Sequence, residues 1–495
     1  VYGFLAYKGS LFFHAFNVVQ EISPDNIALI TPVFESWWSP GQWLFPALLN
    51  CLFGTRLGIA SIWITLAALA GGFAGYYRVF RFYGFSSRII LISLLIIFSG
   101  STLYYCFVVY QGGEVLEFGF FPWFLLYVIK IRQVTWRKLL VVTLLFLLCF
   151  TAKTTLLLYC SFVLLAQWIQ MNKTTFRNPL RFPSRQLGLL LPALICVPLI
   201  WLLFLSKGPH PVVVGHFGFS PEAILVPLSS PLNSILSIQQ YINRGELAFV
   251  RFFPAANANL FSYVLYLLVF VMLLWFLGQI RRNKKIDPNY KIQFFILYGG
   301  LLTFFLLAYV FNANIDLSSR HFKLMGYLLV PGLVYVLEEK FRPSGVNAFL
   351  VLVCVISLLD IFYLKRKWAR GRDISIQYFY RNCEPPEVSD KLDRASYEKL
   401  ITIERVAQTG KPLPAVFWVE STPDIGIDLK YPAICQAPSR NIHADVYRKS
   451  GVRLFVCVSK GTLSNNPGLL KWKFPDYADF ALIDETDQYW FFMGK

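Results

Sequence analysis

Apolar runs close to the length a helix needs to cross a lipid bilayer recur along this chain, and no other feature restricts its fold as strongly. A span of hydrocarbon takes ~20 residues at the rise of an α-helix. Inside it every backbone N–H and C=O must find a partner within the protein. The runs at 57–77, 89–109, 114–130, 139–152, 154–170, 187–206, 258–279, 293–311, 322–338 and 346–364 predict such spans. The stretch 43–54 is too short for one and predicts a helix lying along the membrane. The opening Val1–Tyr7 reads as the end of a first helix cut short, or as the remnant of a cleaved signal peptide. The fold class expected is an all-α polytopic membrane protein with about 11 transmembrane helices. A composition that is 56% hydrophobic and 15% charged agrees with it.

A formal charge of +18 raises the question of nucleic acid. The positions of the charges answer it. Arg78, Arg81 and Arg88, then Lys130, Arg132, Arg137 and Lys138, then Lys173, Arg177, Arg181 and Arg185, then Arg281, Arg282, Lys284, Lys285 and Lys291, lie in short loops between apolar runs. That is the positive-inside pattern of membrane proteins, so a nucleic-acid partner is not expected. With these loops cytoplasmic, 8–56, 111–114, Lys153, 207–257 and 312–323 share the opposite face. One cluster breaks the alternation: Lys365, Arg366 and Lys367 follow the last span on the side that parity makes external.

Beyond residue 365 the composition becomes that of a soluble domain. Helical spacing over 396–408 and 444–450, strand patterns over 415–419 and 453–458, and a hairpin over 480–484 and 488–493 predict a small extracytoplasmic α/β domain. The domains expected are therefore 1–364 and 365–495. Most cysteines sit within apolar runs as small packing residues, and Cys383, Cys435 and Cys457 in the tail leave room for one disulfide. The five histidines have no metal-ligand spacing, so no metal site is expected from them.

Several charged residues stand where charge is costly. The first outer loop, 8–56, carries Glu21, Asp25 and Glu35 and runs into Trp37-Trp38-Ser39-Pro40-Gly41, residues suited to the headgroup level. It reads either as an active-site loop or as an interfacial anchor. Glu114 follows two glycines at a helix start, where a functional carboxylate and a simple helix-dipole partner are equal readings. Glu117 lies one turn deeper and needs a partner. Lys153 interrupts an apolar run, and a lysine in the membrane centre costs ~2.5–3.5 kcal/mol. A phosphate or a carboxylate such as Glu114 would offset that cost, and snorkelling to the headgroups is the alternative. In Asp316-Leu317-Ser318-Ser319-Arg320-His321-Phe322-Lys323, two cations at a helix start oppose the dipole. A bound anion or an Asp316–Arg320 pair would account for them, and arginine's fork suits phosphate.

These features in their order resemble the GT-C superfamily of membrane glycosyltransferases, in particular family 39, which includes protein O-mannosyltransferases and lipid A aminoarabinose transferases. The matching residues are the large outer loop leading to Pro40-Gly41 and Leu52-Phe53-Gly54, the acid Glu114, Phe150-Thr151-Ala152-Lys153-Thr154 and Ser318-Ser319-Arg320-His321. The resemblance spans roughly residues 1–365. It implies a polyprenyl-phosphate sugar as donor, entering from the lipid, and a glycan, lipid or protein acceptor arriving from outside. By that likeness Asp25, Glu35 and Glu114 are the candidate catalytic carboxylates, and Lys153, Arg320 and His321 the candidate phosphate ligands. Relatives place an acid just after the first helix, where this chain has Lys8-Gly9-Ser10. Some relatives use a divalent metal ion, and no cofactor is otherwise implied.

The expectation is thus a glycosyltransferase of a bacterial inner membrane working on its extracytoplasmic face. A lipid-linked glycan flippase would carry its charges near mid-bilayer in corresponding halves, whereas these gather at one face. A non-catalytic GT-C-like scaffold would follow if the missing early acid had no substitute.

Overall fold

The computed structural model describes residues 39–53, 55, 57–99, 112–173, 186–202, 218, 220–236, 238–239, 258–311, 313, 315, 317–372, 392–408, 415–420, 433–435, 453–475 and 477–494. Val1–Tyr7, Asp25, Glu35, Asp316, most of the 207–257 loop and the helix expected over 444–450 lie outside these.

Helices α1 (Gly41–Phe53), α2 (Leu57–Phe82), α3 (Ser87–Ser99), α4 (Gly112–Ile129), α5 (Trp136–Ala152) and α6 (Thr155–Met171) come first. After them stand α7 (Leu191–Ile200), α8 (Pro221–Ser229), α9 (Leu232–Leu236), α10 (Ala258–Arg282), α11 (Pro288–Val310) and α12 (Lys323–Arg372). Three segments among the described residues, Ile59–Phe82, Leu260–Arg282 and Pro288–Val310, are long and apolar enough to cross a membrane. Their outward residues, such as Leu66, Leu260 and Leu268, are about 60% exposed, which water would penalise and lipid does not. The chain is an integral membrane protein, predominantly helical, with a small C-terminal sheet.

One expectation is corrected. Residues 322–338 and 346–364 were expected to be two separate spans. The backbone instead continues as the single 50-residue helix α12. A proline removes one rung of the hydrogen-bond ladder and bends a helix without having to reverse it. The parity count that placed residues 365–495 outside used two crossings here, so one helix changes that count by one.

Chain packing separates two units, one comprising 65–360 with 37–39, the other 1–36, 40–64 and 361–495. In the first unit α2 and α4 approach through glycines. A Cβ on Gly72 would lie 2.3 Å from the Phe118 ring and 2.7 Å from its carbonyl oxygen, and one on Gly119 would lie 3.1 Å from the Ala68 Cα. Such contact between backbones is how membrane helices gain dispersion energy without a hydrophobic driving force. The Trp123 indole N–H donates to the Gly71 carbonyl at 2.9 Å across the same seam. Tyr76, Phe118 and Tyr327 then stack around the start of α12, with centroids 5.4–5.8 Å apart. From Lys323 to Leu337 nearly every residue of α12 is buried, so this segment is the unit's central helix.

The loops 83–86, 130–135 and 283–287 collect at one end of this bundle. The Gln167 amide donates to Ile131 at 2.8 Å, the Gln170 amide to Asn289 at 3.0 Å, Asn283 to Glu339, and Arg88 pairs with Glu338 at 3.1 Å. The cations of those loops are therefore at that end. The start of α4, the α5–α6 junction and the start of α12 are at the other.

The C-terminal region folds as helix α13 (Arg394–Gln408), strands β1 (Ala415–Val419), β2 (Ala433–Cys435) and β3 (Arg453–Ser459), helices α14 (Lys460–Asn465) and α15 (Leu469–Lys473), and strands β4 (Phe480–Glu485) and β5 (Tyr489–Gly494). Sheet order is β2-β1-β3-β5-β4, with β1 parallel to β2 and β3, and β5 antiparallel to β3 and β4. Strand alternation sends Phe417, Phe455 and Phe491 to one face with Leu400 and Ile401 of α13, and Trp418, Val456 and Val458 to the other with Leu469 and Phe474. Cys457 is buried in this core, and Cys383 lies outside the described residues.

Candidate functional site

Lys153 is placed by a two-residue interruption between α5 and α6. It has extended backbone (φ −161°, ψ 137°), its N–H closes α5 on the Cys149 carbonyl at 3.2 Å, and its own carbonyl accepts from Leu156 at 3.0 Å as α6 begins. The apolar run therefore folds into two antiparallel helices with the lysine at the bend.

Its ammonium meets α4. Glu114 and Glu117 are three residues apart, which puts both carboxylates on one helix face. Lys153 Nζ lies 3.1 Å from Glu114 Oε1 and 3.2 Å from Glu117 Oε2. Glu117 thus has the partner its depth requires. Arg320 arrives from the 3-10 turn Ser319–Phe322 that leads into α12, with Nη1 4.0 Å from Glu114 Oε1. Lys323, 5% exposed, acts electrostatically on both carboxylates. Glu117, Glu114, Lys153 and Arg320 side chains are 4%, 10%, 12% and 40% exposed, so the cluster opens towards Arg320.

Among the described residues three cations face two carboxylates in this largely buried site. An ammonium has three N–H donors, of which the two carboxylates occupy two. An anion reaching the cluster would meet the third donor and the exposed side of the Arg320 guanidinium.

The turn carrying Arg320 is fixed through its backbone. Ser318 Oγ accepts from Arg320 N–H at 3.3 Å, the Tyr159 hydroxyl donates to the His321 carbonyl at 2.7 Å, and Ser234 Oγ donates to the Phe322 carbonyl at 3.2 Å. The His321 ring is buried and stacks on Phe305 at 5.1 Å, 17° from parallel. Tyr76, fully buried with its hydroxyl unpartnered, packs on Phe118, the residue after Glu117.

The structure therefore brings together Glu114, Lys153 and Arg320 of the sequence-derived candidates and adds Glu117 and Lys323. It seats His321 alongside, with an aromatic partner. Asp25 and Glu35 lie outside the described residues. The (i, i+3) acid pair at a glycine-led helix start was a visible sign of Glu117, and Lys323 follows Arg320 by the same spacing.

Among the described residues no group of three or more His, Cys, Asp or Glu is placed to hold a metal ion. Glu114 and Glu117 share the one ammonium of Lys153, and Arg320 reaches Glu114 as well.

No family model matches the sequence, and no curated protein matches it. A solved structure, the crystal structure of ArnT from Cupriavidus metallidurans bound to undecaprenyl phosphate, aligns with 99% of this chain and 93% of its own at a TM-score of 0.43 and 12% identity.

Proposed function

We propose that this protein is a GT-C-like membrane glycosyltransferase that moves a sugar from a polyprenyl-phosphate donor to an acceptor hydroxyl. The observation supporting this is the convergence of Lys153, Arg320 and Lys323 with two carboxylates at one end of the bundle, the Arg320 guanidinium being partly exposed. The basic loops gather at the opposite end, which under the positive-inside rule turns the cluster away from the cytoplasm.

In the proposed reaction the acceptor oxygen attacks the anomeric carbon, the bond from that carbon to the phosphate oxygen breaks, and the pair of electrons leaves with the phosphate. A phosphodiester thereby becomes a phosphomonoester and gains negative charge. Arg320 and the free Lys153 donor would stabilise that charge where it develops. The acceptor's proton passes to a carboxylate of the first outer loop, Asp25 or Glu35. Glu114, paired with two cations, serves as the counter-charge that aims them.

The alternative is that the cluster is a structural ion network in a non-catalytic scaffold, favoured by the fact that both near neighbours of Lys153 are protein carboxylates. The test is the release of polyprenyl phosphate by purified protein in nanodiscs from polyprenyl-phosphate hexoses and aminopentoses. Lys153→Ala and Arg320→Ala should each lower turnover by roughly 100-fold, the usual effect of removing one transition-state charge donor. Normal turnover in both variants would exclude the phosphate role.

A further inference from the structure

Gln239 lies 80 residues before the turn that carries Arg320 and makes two side-chain contacts with it. Its amide oxygen accepts from the Ser319 N–H at 2.9 Å, and its amide nitrogen donates to the Leu317 carbonyl at 3.4 Å. This is a two-point clamp on one extended stretch, with Ser318 between the gripped groups. Ser318 in turn has φ −142° and ψ 136°, and its hydroxyl caps the Arg320 N–H. The amide's own position is also specified, because Gln239 N–H donates to Asn233 Oδ1 at 2.8 Å and Asn233 is fully buried against the Ser229 hydroxyl at 3.3 Å.

We infer that Gln239 is a positioning residue that sets the direction of the Arg320 guanidinium. The inference rests on the phosphate role proposed for Arg320. A 3-10 turn of four residues has little stability of its own, and its i→i+3 bonds are poorly aligned. The direction of a long side chain on such a turn depends on what fixes the residues before it. Tyr159 and Ser234 hold the end of the turn, at His321 and Phe322. Gln239 holds its beginning, immediately before Arg320. Glutamine is suited to this because one planar amide can accept from a peptide N–H through its oxygen and donate to a carbonyl through its nitrogen. Glutamate keeps the first contact and loses the second.

The experiment is a double-mutant cycle on full-length protein in nanodiscs, read by equilibrium binding of undecaprenyl phosphate, which needs no knowledge of the sugar. Gln239→Glu and Gln239→Ala should weaken binding about tenfold, as expected for loss of one or two hydrogen bonds that fix a charged ligand. In the Arg320→Ala background the same changes should have no further effect, because there is no guanidinium left to aim. A structural role alone would lower thermal stability and leave the effects on binding additive. Additivity, or unchanged binding in the Gln239 variants, would overturn the inference. If Arg320→Ala itself binds undecaprenyl phosphate normally, the phosphate role falls and takes the inference with it, so the two failures are distinct.

Discussion

Replacing Lys153 by methionine separates a structural ion network from a ligand site, provided it is compared with a second, charge-balanced variant. The single change leaves Glu114 and Glu117 at 10% and 4% side-chain exposure without their shared ammonium. Removing one partner of a buried pair costs about 3–5 kcal/mol, because the remaining charge is stranded. The variant should therefore unfold roughly 5–10 °C earlier in a fluorescence-monitored melt. Lys153→Met with Glu117→Gln removes one charge of each sign. Glu114 keeps Arg320 at 4.0 Å and the field of Lys323. Buried ion pairs replaced as a unit are often close to neutral, so stability should return to within about 2 kcal/mol of the parent. Turnover should not return, because the donor proposed to meet the phosphate is gone. A double variant that recovered both stability and polyprenyl-phosphate release would refute the assignment and leave Lys153 as a structural counter-ion.

Two further predictions concern other parts of the molecule. Gly72→Ala forces a methyl against the Phe118 carbonyl at 2.7 Å and should cost about 1–3 kcal/mol, while Gly278→Ala, which meets nothing within 4 Å, should be neutral or stabilising in the same melt. In the C-terminal domain burial pushes Lys473 down to about 8, against an opposing pull from Glu420. A lysine whose folded value lies below its unfolded one makes the fold more stable as pH rises between about 8 and 10.5, where the unfolded chain binds more protons. Lys473→Met should therefore slow proteolysis of residues 394–494 relative to the parent at pH 7.5, with the ratio approaching one near pH 10. A pH-independent ratio would contradict the assignment.

Much of the fold was legible because hydrocarbon imposes a long, local signal. The apolar runs at 258–279 and 293–311 appear as α10 and α11 with the ends moved by a few residues, and 139–152 and 154–170 as α5 and α6. The hairpin expected over 480–493 is β4 and β5, while the three-residue β2 went unseen because so short a strand has no periodicity to read. The error at α12 has the opposite origin. Pro343 and Gly345 are strong local punctuation, yet whether a chain turns at a proline depends on flanking segments that continue the helix on both sides. In the candidate site, Glu114, Lys153 and Arg320 were visible because each is a charge where charge is costly. Gln239 was not. It is an ordinary polar residue without a charge or spacing to mark it, and only the path of the chain brings it to the backbone of residues 317 and 319.

That contrast bears on how such a site is built. A charge in an apolar run has to be offset locally, and Lys153 is offset twice over by carboxylates from one face of α4. Neutralising Lys153 alone would take a single carboxylate, and the second one draws a further cation to the same end. Two carboxylates against one ammonium leave a negative excess that attracts a further cation, and among the described residues both Arg320 and Lys323 stand there. The 40% exposed side of Arg320 is where the anion proposed above would reach the cluster. A purely structural network of this size would be expected to close on itself, with its most flexible cation buried. Here the cation with the best geometry for phosphate is left at the opening, on a turn gripped at both ends by side chains from elsewhere in the bundle.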